Sequence, residues 1–401
     1  MSWSPPPLPR RRDFLKLAGS ASGLALLPGT LHPASAAESP ARVEQVLEDF
    51  ITLADFAAAA PAHMTAPAYA YVSGGAADEI TLRRNLESYR RLLLEPRVLT
   101  HLGDLDLSIT LLGRRRPSPV LFAPTASNRA VHPDGEIAVA QAASRTGTTY
   151  VLSTSSNTPV EDVARIMTSP LWFQLYVYPD VPAAMDLIRR AEDAGCEAIC
   201  LTVDTPVPGL RDRQSKARFD PYAGGLTYPH LEWAQTRSPD IKRKPGEIQR
   251  LVWSDVARFV RHARVPLFLK GIMRPEDALL ALEAGAAGVI VSNHGGRSLD
   301  TLPATIEVLP GIVAAVAGRA PVLVDGGIRR GTDVVKAMAL GATAILIGRP
   351  YVYGLAVAGA DGVARVQNIL LEELRQSLAL LGRPSVASLD ASVFWNNRTA
   401  P

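Results

Sequence analysis

One junction recurs along this chain and limits what it can fold into. An amphipathic run ends on a glycine and a short apolar segment follows, at Gly147, Gly195, Gly285 and Gly341. Glycine just past a helix tolerates the left-handed conformation that turns the chain back, so the junction reads helix, turn, strand. Eight β-rich segments are present: Val120–Ala123, Thr149–Leu152, Trp172–Leu175, Ala198–Val203, Leu267–Leu269, Gly288–Val291, Val322–Val324 and Ala344–Ile347. They are apolar on both faces, as strands of a helix-covered parallel sheet are. Between them Pro182–Ala194 sets Ala184, Met185, Ile188 and Ala191 on one helical face. Pro275-Glu276-Asp277 opens another helix, and Thr332 or Asp333 is expected to cap a third. Eight strand–helix units predict an α/β fold, a closed (β/α)8 TIM barrel over residues 118–390. An open doubly wound sheet is the other way to arrange the same units.

Three stretches depart from the repeat. Residues 38–117 read as a helical segment packing on the outside of the barrel. Residues 205–250 are a long polar insertion after the fourth strand, on the face where such barrels carry their chemistry. Residues 391–401 read as a tail.

The chain's start reads as an address. Arg11–Lys16 is a twin-arginine pattern, an apolar run from Leu17 to Leu31 follows, and Ala34-Ser35-Ala36 offers a small-residue cleavage site. Together they predict a signal peptide over residues 1–37, export by the twin-arginine route, and a periplasmic or other extracytoplasmic home. Of 42 basic and 39 acidic residues, four basic and one acidic lie in the first 36 positions. The body is therefore neutral, and nucleic acid is not an expected partner. Two cysteines, Cys196 and Cys200, exclude a disulfide scaffold and a cysteine-based zinc site, and no metal is expected.

Polar residues gather where the strands end. The fourth strand ends with Thr202 and Asp204, the fifth with Lys270, and the sixth with Ser292-Asn293-His294-Gly295-Gly296-Arg297. The seventh ends with Asp325-Gly326-Gly327-Ile328-Arg329 and the eighth with Gly348-Arg349. Glycines at the last two ends let backbone N–H groups approach an anion, the usual phosphate cradle of this fold. A histidine can take a proton near neutral pH, and an arginine can hold a carboxylate through two parallel hydrogen bonds. Buried Lys270 needs an anion, with Asp204 and Asp325 the candidates.

With the motifs YVSGGAADE, APTA, FQLYVY, LTVDTP, SNHGGR, DGGIRRGTD and IGRP in this order, the chain resembles the FMN-dependent 2-hydroxy-acid oxidases and dehydrogenases over about residues 45–390. The group contains glycolate oxidase, lactate oxidase and mandelate dehydrogenase. The resemblance implies FMN as cofactor and oxidation of an (S)-2-hydroxy acid to the 2-oxo acid, by a hydride or a carbanion route. The electrons would pass to oxygen, a quinone or a cytochrome. It also implies a homo-oligomer, a tetramer. His294 would receive the substrate's proton and Asp204 would pair with the imidazolium. Arg211 and Arg297 would grip the carboxylate with Tyr71 assisting, and Tyr176 would bond the hydroxyl. Lys270 would face the flavin and stabilise its reduced anion. Pro124, Thr125, Ala126, Ser153, Gln174 and Thr202 would line the flavin. Ser292, Asp325, Gly326, Gly327, Arg329, Gly348 and Arg349 would hold its ribityl chain and phosphate.

Ser155 stands where glycolate oxidase-like members carry tryptophan, which implies a wider pocket and a larger, aromatic or branched substrate. Leu210, Tyr222 or Trp233 of the insertion is the expected source of any refilling. Three alternatives share features of the reading. An FMN-dependent isomerase would share the glycine loops but has no use for His294, Arg211 and Arg297 together. A nucleotide dehydrogenase would need a cysteine nucleophile on a strand-end loop. A flavin-binding scaffold would not turn over.

Overall fold

Three helices open the structure, a computed structural model describing residues 47–241 and 251–395. The expected export signal lies outside the described residues. The helices are α1 (Leu53–Ala59), α2 (Ala66–Ser73) and α3 (Ile80–Arg91). Thr52 and Thr65 cap the first two, their hydroxyls accepting from the N–H groups of Asp55 and Ala68. The segment expected to be helical also contains an antiparallel hairpin, β1 (Ile109–Leu111) and β2 (Arg114–Arg116). Its turn residues, Leu112 and Gly113, both have positive φ, 53° and 71°, which matches the twist of the flanking strands. A strand of three arginines shows no alternation, so pattern reading passes over it. Leu111 packs into the base of the barrel interior, while Arg114 and Arg116 pair with Glu197 just ahead of the fourth barrel strand.

The barrel then closes. Its strands are β3 (Val120–Phe122), β4 (Tyr150–Ser153), β5 (Leu171–Leu175), β6 (Ile199–Thr202), β7 (Leu267–Ile272), β8 (Gly288–Val291), β9 (Val322–Asp325) and β10 (Ala344–Ile347). All are parallel and in sequence order, with β10 bonded to both β9 and β3. Around them run α4 (Gly135–Thr146), α5 (Val160–Ile166), α6 (Val181–Asp193), α9 (Trp253–His262), α10 (Pro275–Glu283), α11 (Thr305–Val316), α12 (Gly331–Ala339) and α13 (Arg349–Leu380). The insertion after β6 is not bare loop: it carries α7 (Asp212–Lys216) and α8 (Pro229–Arg237). The four junction glycines have φ of 66°, 97°, 89° and 95°. Neither Thr332 nor Asp333 is the N-cap of α12; Arg330 is. Asp333 acts from inside the first turn, its carboxylate accepting from the N–H groups of Arg329 and Arg330. Residues 391–395 are no loose tail: Val393 is buried, and Trp395 N–H donates to the Leu93 carbonyl.

Side chains alternate along each strand, and this positions the site. Outward residues such as Phe122, Leu152, Phe173, Leu201, Leu269, Val291 and Val324 join the helices in the main core. Inward residues Leu121, Val151, Trp172, Cys200, Phe268, Ile290, Leu323 and Leu346 fill the barrel. Two positions further along the same faces stand Ala123, Ser153, Gln174, Thr202, Lys270, Ser292, Asp325 and Gly348. The interior therefore changes from apolar to polar within one step of the strand repeat. The polar layer opens at the C-terminal mouth.

Candidate active site

Lys270 sits at the centre of the polar layer. Its ammonium donates to Ser292 Oγ at 2.9 Å and lies 3.2 Å from Asp325 Oδ2, to which Ser292 also donates at 2.9 Å. Of its two candidate anions, Asp325 is the one in contact. Burial pushes the lysine down, but Asp325 and then Asp204 more than offset this and hold it charged, above its usual range. A register shift between Lys270 and Ile272 bends β7 here, with Gly271 at φ 113°. A Cβ at Gly271 would lie 2.5 Å from the Cβ of Asp204, so glycine lets the two strand ends meet.

His294 lies between an acid and a phenol. Its Nδ1 is 3.0 and 3.2 Å from the two Asp204 oxygens, and its Nε2 is 3.4 Å from the Tyr176 hydroxyl. The carboxylate fixes the tautomer with Nδ1–H donating, which leaves Nε2 as the free base facing the cavity. Burial pushes the imidazole down and Asp204 pulls it back, leaving it below its usual range. Burial pushes the Asp204 carboxyl up, but His294 and Lys270 prevail and hold it low. Burial, then Asp204, pushes the Tyr176 hydroxyl up to about 12.

Arginines surround the same cavity of about 370 Å³. Arg297 lies 5.0 Å above the Tyr71 ring and donates through Nη1 to the Tyr71 and Gly74 carbonyls. Burial, then neighbouring Arg211, lowers it to about 9. Arg211 donates through Nε to the Arg297 carbonyl at 3.3 Å. Arg349 spends Nε, Nη1 and Nη2 on the carbonyls of Val72, Gly295 and Gly74, and burial lowers it to about 10. Arg329 donates to its neighbour's carbonyl, Ile328 O, and burial lowers it as well. Among the described residues none of these four guanidinium groups pairs with a carboxylate. Partly buried cations without an acid, gathered around a cavity, suit an anionic ligand.

The remaining wall holds Ser153, whose hydroxyl donates to Gln174 Oε1, and Gln174, whose amide donates to Thr202 Oγ1. Pro124, Thr125, Ala126 and half-buried Ser155 complete that side. The insertion supplies aromatic side chains, and two of them, Phe219 and Tyr228, were not among the expected site residues. Phe219 stacks on Tyr71 with centroids 4.3 Å apart, and Tyr228 meets Tyr222 edge-on at 5.2 Å. Their signal was aromatic residues in a polar, Pro- and Gly-containing stretch with no core of its own. Of the residues expected to refill the pocket, Tyr222 lines it. Leu210 is 76% exposed, and Trp233 sits elsewhere, under Arg190 and Arg237.

The sequence profile of the FMN-dependent dehydrogenases matches residues 60–396. The chain belongs to the FMN-dependent dehydrogenase family. A peroxisomal (S)-2-hydroxy-acid oxidase of Oryza sativa subsp. japonica is 46% identical over 336 residues, 81% of this chain and 90% of the relative. An L-lactate oxidase of Nostoc sp. is 42% identical over 358 residues, 85% and 97% of the two chains. A crystal structure of mandelate oxidase with benzoyl-formic acid superposes with a TM-score of 0.79 at 41% identity, covering 86% of this chain and 98% of that one.

The residues present fit FMN. Asp325 Oδ1 is buried without a hydrogen-bond partner among the described residues, and the Lys270 ammonium lies in the wall beneath the cavity mouth. Arg329 brings a cation with no carboxylate partner among the described residues, and α13 brings its N-terminus with Gly348 as N-cap, where backbone dipoles favour an anion. The double glycine is demanded first by packing. A Cβ at Gly327 would lie 2.0 Å from the Asn85 carbonyl of α3, and one at Gly326 would lie 3.0 Å from Thr305 Oγ1. At Gly348 a Cβ would meet only ordinary contacts. The cysteine alternative lacks a nucleophile: both thiols are buried, and burial pushes Cys200 up to about 12.

Proposed function

We propose that this FMN-dependent oxidoreductase oxidises an (S)-2-hydroxy acid with a bulky, aromatic or branched side chain to the 2-oxo acid. The observation that carries the reading is His294, backed by Asp204 and faced by Tyr176, in a cavity whose arginines have no acid partners among the described residues. An isomerase would have no use for that convergence. The substrate loses two hydrogens, R–CH(OH)–COO⁻ becoming R–CO–COO⁻. FMN, when bound, supplies the two-electron acceptor.

The chain's own groups do the rest. Arg297 and Arg211 hold the carboxylate. Tyr71 supports Arg297 through its ring and carbonyl. Tyr176 orients the hydroxyl, and Nε2 of His294 takes a proton from the substrate. The developing imidazolium is stabilised by Asp204, already 3.0 Å away. Lys270 keeps a positive charge beside the cofactor site, where reduction adds negative charge. Asp325, Arg329 and Arg349, with the Gly326, Gly327 and Gly348 backbone, hold the ribityl phosphate. Ser153, Gln174, Thr202 and Thr125 line the ring.

Oxygen is the proposed acceptor, supported by relatives named as oxidases; a quinone or cytochrome is the alternative. The proposal includes export of the folded holoenzyme, supported by Arg11–Lys16 and Ala34-Ser35-Ala36, and assembly as a homo-oligomer, a tetramer by resemblance. The test is anaerobic mixing of the yellow protein with mandelate or 2-hydroxyisocaproate. The visible absorbance should bleach, then return on admitting oxygen. A protein that stays yellow with every 2-hydroxy acid would refute the reading. One that bleaches but recovers only with a quinone or cytochrome would change the acceptor.

A further inference from the structure

The C-terminal turn of α2 collects three arginines. An α-helix ends with carbonyls that have no intrahelical partner and carries partial negative charge there. Here the carbonyls of Tyr71, Val72, Ser73 and Gly74 accept from guanidinium groups on three different strand-end loops. Arg297, after β8, takes Tyr71 and Gly74; Arg349, after β10, takes Val72 and Gly74. Arg213, from α7 in the insertion after β6, takes Ser73 at 2.9 Å.

Arg213 differs from the other two. They are partly buried and without carboxylate partners among the described residues, whereas its side chain is 43% exposed and pairs with Glu79. Arg213 Nε and Nη2 lie 3.0 and 2.8 Å from Glu79 Oε1. That same oxygen accepts from Gly75 N–H at 2.9 Å. Glu79 itself is held at φ 60°, in the left-handed region. Two further contacts join the same pair of segments: Ala77 N–H donates to the Leu210 carbonyl, and Phe219 stacks on Tyr71. The fastened stretch carries Arg211 two residues before Arg213 and Phe219 six residues after it. Neither Arg213 nor Glu79 lines the cavity.

We infer that the Arg213–Glu79 pair is a latch, a pair of positioning residues that fasten the β6 insertion onto the end of α2 and so set Arg211 and Phe219 over the substrate. The inference rests on the proposed role of Arg211 as a carboxylate-binding group. A half-exposed ion pair with a backbone acceptor contributes about 1 kcal/mol or less, which sets the size of the effect. Losing it should loosen the insertion without unfolding the barrel or releasing FMN.

The test compares Arg213→Ala, Glu79→Gln, Arg213→Lys and Arg211→Met holoenzymes. In Arg213→Ala and Glu79→Gln, KM for mandelate should rise about 2- to 5-fold while kcat, FMN content and melting temperature stay near the unaltered values. Arg213→Lys, which keeps the charge, should recover much of the affinity. Raising salt from about 0.05 to 0.5 M should increase KM in the unaltered enzyme more than in Arg213→Ala. A lower melting temperature with unchanged KM would make the pair merely structural and overturn the latch. If Arg211→Met raises KM while Arg213→Ala and Glu79→Gln do not, the latch fails and the carboxylate role survives. If Arg211→Met itself leaves KM unchanged, the carboxylate role falls and the latch with it.

Discussion

Substituting Ser155 by tryptophan should exchange the substrate ranking. Ser155 lies on the cavity wall, its N–H donating to Ser153 Oγ at 3.1 Å and its carbonyl accepting from Ser127 N–H at 3.2 Å. Its backbone is therefore fixed, and a larger side chain must enter the cavity rather than push the loop away. Phe219, Tyr222 and Tyr228 line the same cavity, and Tyr228 reaches this side through its hydroxyl contact with Ser127 Oγ. A substrate phenyl ring buried against those side chains gains about 1.5–3 kcal/mol over a substrate without one. That corresponds to about 10- to 150-fold in kcat/KM. Mandelate should therefore exceed glycolate by about this factor, with lactate and 2-hydroxyisocaproate between them. In Ser155→Trp the indole occupies the ring's place, so the advantage should vanish while glycolate stays within about 3-fold. The assay is kcat/KM over the four acids for both proteins, with FMN content checked first. Glycolate ranking first in the unaltered enzyme would refute the open pocket. An unchanged ranking in the variant would remove residue 155 from specificity.

Asp204→Asn should keep FMN but slow anaerobic flavin reduction by about 10²-fold or more. His294 is the base in its neutral form, so kcat/KM should rise with pH through a value below the usual histidine range; without Asp204, which pulls the imidazole up, that rise should move to lower pH. A full-speed variant with the same profile would refute the pair. His230 gives a pH dependence of stability. It is fully buried, with Nε2 accepting from Val160 N–H at 2.9 Å and Nδ1 3.2 Å from Ser156 Oγ, and burial lowers it to about 4. The unfolded chain takes up a proton near pH 6.5, so stability is full above that and falls by about 3 kcal/mol as pH drops towards 4. The melting temperature of His230→Gln should fall less steeply over that window; identical slopes would refute the linkage. Changing Arg11 and Arg12 together to Lys should trap holoenzyme in the cytoplasm, and unchanged export would reject the twin-arginine route.

The barrel was legible because its signal is local. Each strand is a few consecutive apolar residues, and each helix end is marked by a glycine that the chain reversal itself demands. The polar ring was legible for the same reason. Lys270, Ser292 and Asp325 stand two positions past Phe268, Ile290 and Leu323 on the same faces, so the strand repeat alone puts them at the mouth. What local pattern could not supply was the docking of one distant segment on another; the pairing of Asp204 with His294 was implied by the family resemblance. Leu112-Gly113 turns a hairpin whose value lies in reaching Glu197. Arg213, Arg297 and Arg349 lie far apart along the chain, and only the fold shows that they cap one helix.

Gly327 shows how the two kinds of information mix. Read along the chain, Gly326-Gly327 after an acidic strand end is a phosphate cradle. In the folded protein, glycine at 327 is required by the Asn85 carbonyl 2.0 Å from any added Cβ. The same α3 places the Asn85 side chain in a reciprocal amide pair with Asn293, at 2.9 and 2.8 Å, one residue before His294. Helix α3 thus braces both the cofactor loop and the histidine loop from behind, and the motif's glycine serves that bracing before it serves any ligand. A glycine in a binding motif is therefore evidence of a close approach. Whether the approaching group is a phosphate or the protein's own backbone is decided by what packs behind the loop.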